Sequence, residues 1–224
     1  MRVLREFIAG ERPWDRVMAF GLVASRLEGV EERVTREAID GMRERASGST
    51  ARDVVASLFA PTAKGEPVLR GDGESYDDPA NSFIHEVVLR RKGIPLTLAV
   101  IASEVASGRG VPLDVVGMPG HVLVRDGLST SSYFDVFGGG TELDEAGCRE
   151  LYQRTTGLTD WKPEFLAPIT TAQQVFRLLN NLKSIYRRRA DLSRLRGVMA
   201  MRALFPGVEA MERGEFARLM RETN

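Results

Sequence analysis

The stretch Pro95-Leu96-Thr97-Leu98-Ala99-Val100-Ile101-Ala102-Ser103-Glu104-Val105-Ala106 limits what this chain can fold into more than any other part of it. Wound as a helix, it sends apolar side chains in nearly every direction instead of along one stripe. Such a helix is stable only when other elements surround it. Pro95 suits the first helical position, where its missing N–H is no loss and its fixed φ is already helical. Gly108 and Gly110 close the segment. The remainder of the chain must therefore build a shell around a central helix, and 224 residues can do so without disulfides or metals.

Disulfides are in any case ruled out within the chain, because Cys148 is its sole cysteine. That favours a reducing, cytoplasmic setting. The charged N-terminus, Met1-Arg2-Val3-Leu4-Arg5-Glu6-Phe7, does not read as a signal peptide. No segment approaches the roughly 20 apolar residues of a membrane span. With 31 basic and 31 acidic residues the net charge is zero, which argues against a protein built around nucleic acid. Two histidines, His85 and His121, and one cysteine make a metal site of the usual ligands hard to assemble, and no cofactor is expected.

The shell is legible in outline. Three helices are expected before residue 60: one carrying Trp14, Val17, Met18 and Leu22, a second carrying Val30, Val34, Ala38 and Met42, and a third capped by Ser49 or Thr50 and ended by Pro61. Residues 61–80 are rich in Gly, Pro, Asp and Glu and read as a turn-rich boundary. A helix capped by Asn81 or Ser82 follows, with Arg90, Arg91 and Lys92 in its last turn and Gly93 as its stop. After the central helix come three short strands, Leu113–Met118, His121–Arg125 and Tyr133–Phe137, and a helix from about Asp144 to Tyr152. Val175, Leu178, Leu179, Leu182, Ile185 and Tyr186 mark an amphipathic helix near the end. The expected architecture is α+β: a buried central helix and a small antiparallel sheet between helical flanks. The natural breaks give an N-terminal helical region 1–70, a core 71–152 and a C-terminal helical extension 153–224, expected to form one compact unit.

One pair in the sheet carries chemistry. If the second and third strands are joined by the three-residue turn Gly127-Leu128-Ser129, His121 faces Asp135 across the hairpin. A one-residue slip would separate them onto opposite faces. A carboxylate beside an imidazole fixes its tautomer and stabilises its protonated form.

Four segments in this order resemble the SirB-type family of the transglutaminase-like superfamily. They are Asp78-Pro79-Ala80-Asn81-Ser82-Phe83-Ile84; Leu89-Arg90-Arg91-Lys92-Gly93-Ile94-Pro95-Leu96-Thr97-Leu98; Gly117-Met118-Pro119-Gly120-His121; and Phe134-Asp135-Val136-Phe137-Gly138-Gly139. Leu179-Asn180-Asn181-Leu182-Lys183-Ser184-Ile185-Tyr186 resembles the helix that follows this core in relatives, where tetratricopeptide-like helices often come next. The resemblance implies a papain-like fold. In catalytic members a Cys opens the central helix, where backbone N–H groups favour a thiolate, and a His and an Asp follow on adjacent strands. By that pattern His121 and Asp135 match the His and Asp, and the Cys position falls on or beside Pro95. Proline removes thiol catalysis without disturbing the helix start. Val136 stands where relatives usually have Pro.

Three other residues could offer a nucleophile. Ser82 and Thr97 carry hydroxyls that His121 could activate if within reach. The simpler expectation for Ser82 is a helix cap, and for Thr97 a hydroxyl bonded to its own helix. Cys148 reads as a small core residue. Gly120, after Pro119, could let a ligand approach the backbone. The candidate cleft is thus His121 and Asp135 with Asn81, Ser82, Pro95, Thr97, Pro119 and Gly120. Residues 177–202 hold eight basic side chains against Asp191, a surface expected to pair with acids elsewhere, such as those of residues 72–78. The expected function is a non-catalytic module that binds a protein or peptide. The alternative is a hydrolase or acyltransferase using His121, Asp135 and a hydroxyl.

Overall fold

The structure, a computed structural model, describes residues 1–62 and 65–222. Helices α1 (Arg2–Ile8), α2 (Arg16–Glu28), α3 (Glu32–Arg45) and α4 (Ala51–Phe59) come first. Strand β1 (Arg70–Gly71), helix α5 (Ile84–Arg90), strand β2 (Lys92–Gly93) and the central helix α6 (Pro95–Ser107) follow. Strands β3 (Leu113–Val116), β4 (Leu123–Asp126), β5 (Tyr133–Asp135) and β6 (Thr141–Leu143) lead into helix α7 (Glu145–Thr156). Helices α8 (Thr171–Arg188), α9 (Leu192–Arg202) and α10 (Glu209–Glu222) complete the order. Contacts group these residues into two units: Thr35–Thr170, and Met1–Val34 together with Thr171–Asn224. These limits differ from the breaks read from composition near residues 70 and 152. The turn-rich stretch lies within the larger unit because its Asp72 is buried there.

In the larger unit α6 is the central helix that its composition demands. Leu98, Ala99, Val100, Ile101, Ala102, Val105 and Ala106 have no accessible surface. It packs against α4, β3 and β4. The strands form an antiparallel sheet in the order β3-β4-β5-β6. Val116, Leu123 and Tyr133 of the sheet enclose an apolar cluster with Cys148, Leu151 and Tyr152 of α7. Side-chain caps set the helix starts: Thr50 accepts from Asp53 N, and Asp144 from Gly147 N.

Three local expectations are corrected. Asn81 and Ser82 do not cap α5. They belong to a 3-10 turn, Pro79–Ser82, that Asp78 caps through Ala80 N at 3.1 Å, and the α5 cap is Phe83, without a side-chain bond. Nor does Gly93 end α5, because Arg91 takes the left-handed conformation, with φ 59°. Gly93 is needed in β2, which pairs in parallel with β1, and a Cβ there would sit 2.8 Å from a Val87 methyl. The hairpin register also differs. Val124 pairs with Phe134 and Arg125 with Tyr133, and Asp126 N donates to Ser132 O, so the connecting loop is longer than Gly127–Ser129. The shift is two residues, which preserves the faces. His121 precedes β4 and meets Asp135 diagonally instead of directly across.

In the smaller unit α8 buries Val175, Leu178, Leu179, Leu182, Ile185 and Tyr186. Gly197 of α9 lies so close to α2 that a Cβ would meet the Leu27 side chain at 2.9 Å. Several of the basic side chains expected to seek acids find them within this unit. Lys183 reaches Glu212 and Glu215, Arg202 reaches Glu212, and Arg194 reaches Glu28 and Asp191.

Candidate functional site

His121 follows a tight turn in which its N–H donates to Met118 O at 3.2 Å. Gly120 supplies the positive φ of 77° that this turn requires. A Cβ at Gly120 would lie 2.7 Å from the Thr156 methyl. The close approach expected of a ligand is therefore made by the end of α7. Pro119 precedes it in the same turn.

The ring of His121 is brought to Asp135. Nε2 lies 2.8 Å from Asp135 Oδ1, which also accepts from Phe137 N at 3.1 Å and Gly138 N at 3.0 Å. Three donors on one oxygen fix the carboxylate, and the carboxylate in turn fixes the ring. With Nε2–H donating, Nδ1 is the basic nitrogen of the neutral imidazole. Burial alone would push the Asp135 carboxyl up. The bond and charge of His121 and the two backbone N–H groups outweigh that and hold it below its ordinary 3.8. Gly138 is part of the fixture, since a Cβ there would meet Asp135 Oδ2 at 2.5 Å.

Two aromatic residues that the linear pattern did not reveal stand at this pair. Phe137 meets the His121 ring edge-on at 6.0 Å between centroids, and Tyr76 meets Phe137 likewise at 6.1 Å. The segment carrying Tyr76 is anchored by Asp72, only 1% exposed, which takes Lys92 Nζ at 2.9 Å, Asn81 Nδ2 at 3.1 Å and Ser75 N at 3.0 Å. Burial works to raise the Asp72 carboxyl, and these donors bring it below its ordinary range. Asn81 Nδ2 also holds Ser75 O, and Asp78 pairs with Arg90 at 2.8 Å. Asn81 thus braces the Tyr76 loop. The signal available in sequence was a cluster of acids, with nothing to show that Asp72 is the one buried.

Pro95 is the first residue of α6 and is buried. Thr97 has no accessible surface and Ser82 1%, and neither hydroxyl oxygen has a hydrogen-bond partner, so both the expected cap and the expected helix bond are missing. Cys148 sits in the apolar cluster between α7 and the sheet. Burial, and then the charges of Asp144, Asp135 and Glu145, push its thiol up to about 12, so it stays protonated. Among the described residues no group of three or more His, Cys, Asp or Glu could hold a metal ion, and no helix is long and apolar enough to cross a membrane.

A family model described as the transglutaminase-like superfamily matches residues 23–180. The chain belongs to this superfamily. Among curated proteins it is similar to a UPF0162 protein of Xylella fastidiosa, 40% identical over 124 residues, covering 52% of this chain and 43% of that protein. A UPF0162 protein of Vibrio cholerae is 30% identical over 116 residues, covering 51% of this chain and 43% of the relative. The human F-box only protein 21 is 32% identical over 92 residues, covering 37% of this chain and 15% of that protein. The alignments therefore span less than half the length of these relatives. No solved structure matches the chain. The transglutaminase-like core here is an α+β unit in which an imidazole–carboxylate pair is formed while the chain's one thiol is sequestered.

Proposed function

We propose that this transglutaminase-like domain binds a protein or peptide segment beside His121 and Asp135 and does not catalyse acyl transfer. The observation that carries this reading is the formed His121–Asp135 bond in a chain whose only thiol is buried and protonated. The resemblance places the superfamily's nucleophile on or beside Pro95, which offers neither sulfur nor N–H. An imidazole and a fixed carboxylate are also suitable hydrogen-bonding partners for peptide groups. Tyr76, 46% exposed, gives apolar contact area next to them. The likeness to a protein named for its F-box supports an interaction role, and a cytoplasmic site of action belongs to the same reading.

The test uses two measurements on the full chain. Hydrolysis of thioesters, activated esters and glutamine peptides should run at background for both the native protein and His121→Ala. Selection from a displayed peptide library should enrich one peptide class, and His121→Ala or Tyr76→Ala should weaken its binding about tenfold or more, the scale of losing one well-packed contact. A hydrolytic rate that disappears in His121→Ala, or a library that yields no enriched class, contradicts the proposal.

The second reading is a hydrolase or acyltransferase with Ser82 or Thr97 as nucleophile. What favours it is that neither hydroxyl is occupied by a local hydrogen bond. Against it, neither side chain presents surface to a substrate. Ser82→Ala and Thr97→Val separate the readings, since they leave peptide binding intact in the first and abolish turnover in the second.

A further inference from the structure

A cavity of about 520 Å³ lies in the smaller unit, between the end of α2, α9 and α10. Its size falls in the range of small-molecule sites, roughly 300–1,000 Å³. Part of its lining is apolar: Gly197, Met199 and Ala200 of α9, Ala203 just after it, and Phe216 of α10. The lining also includes Arg26, Arg196, Arg213 and Ser193. The Arg196 guanidinium lies over the Phe216 ring at 5.8 Å, so charge and apolar wall meet at one edge.

The charge balance around this cavity is one-sided. Among the described residues Glu212 is the sole acid in its wall, and both its oxygens are taken by Lys183, with Arg202 also on one of them. At 2% exposure, Glu212 is spent on that buried network. Arg213 pairs with Glu209, an exposed partner that a ligand could replace. A chain of zero net charge thus gathers three guanidinium groups at an apolar recess. Guanidinium groups form paired, charge-assisted hydrogen bonds with carboxylates and phosphates.

We propose that this cavity is a binding site for a small amphipathic anion, with its carboxylate or phosphate head on Arg26, Arg196 and Arg213 and its apolar tail against Ala200, Ala203 and Phe216. The site is separate from His121 and Asp135 and does not depend on the function assigned to them.

Calorimetric titration of the full chain with decanoate tests the proposal, with decanol and butyrate as the tail-only and head-only comparisons and decyl phosphate as the alternative head. Saturable binding is expected for decanoate or decyl phosphate, at least tenfold weaker for decanol and for butyrate, and weakening as salt is added. Arg196→Gln should reduce affinity about tenfold, as expected for losing a charged hydrogen bond. Ala200→Trp should fill the recess and abolish binding; both positions are exposed, and circular dichroism checks that each variant folds. The preference between decanoate and decyl phosphate assigns the head group. Absence of saturable binding by either anion, decanol binding as tightly as decanoate, or unchanged affinity in Arg196→Gln overturns the proposal. So does an acidic helical peptide that binds here while both small anions fail.

Discussion

Asp135 Oδ1 accepts from an imidazole and two successive backbone N–H groups, so the loop Val136–Gly138 is shaped around a carboxylate. Gly138 is therefore held to glycine by space, since a Cβ would strike Oδ2. Gly138→Ala should destabilise the protein by about 1–3 kcal/mol, the cost of disturbing hydrogen bonds to a charged group, measured by urea unfolding. The depressed carboxyl also sets a pH dependence. A folded-state value below the unfolded one contributes stability that is complete above the unfolded value near 3.8 and is lost as pH falls through the folded value. Asp72 and Asp191 act in the same direction. Stability should thus decline below about pH 4. Asp135→Asn should make that decline shallower without abolishing it, as measured by melting temperature across pH 2–7.

At the scale of elements, the segment Arg91-Lys92-Gly93 shows tertiary demand overriding a local signal. A helix followed by glycine reads as a glycine-stopped helix, yet Arg91 takes the left-handed position and Gly93 joins β2 against Val87. Arg91→Gly should therefore stabilise the protein by about 1 kcal/mol, by relieving a strained conformation. Gly93→Ala, the smaller change on paper, should destabilise it by about 1–3 kcal/mol through overpacking. Opposite shifts in melting temperature check the pair. The same contrast explains what sequence could show. Helix α6 was legible because a segment apolar on every face has only one home. The His121–Asp135 meeting was legible because strand faces repeat every two residues, so a two-residue error in register left the pair together. The two-residue strands β1 and β2 and the Tyr76–Phe137 contact were not legible, for they join residues 22 and 61 positions apart with no periodicity to mark them.

For the whole molecule, zero net charge conceals an uneven partition, with 17 basic and 11 acidic side chains in the smaller unit and 14 and 20 in the larger. Lys183, Arg194 and Arg202 pair with Glu28, Asp191, Glu212 and Glu215 in the smaller unit, and Arg90 and Lys92 with Asp72 and Asp78 in the larger. The fold thereby engages part of the basic surface suggested by residues 177–202. It also leaves the reactive groups of the chain in unlike states: an oriented imidazole, two enclosed hydroxyls and one protonated thiol. Intact-mass analysis of the native protein after exposure to iodoacetamide and to an activated-ester acyl donor tests this most directly. The account predicts no adduct on Ser82, Thr97 or Cys148 while the protein is folded, and a single alkylation by iodoacetamide, at Cys148, once it is unfolded in urea. An adduct on Ser82, Thr97 or Cys148 of the folded protein, lost in His121→Ala, would contradict it.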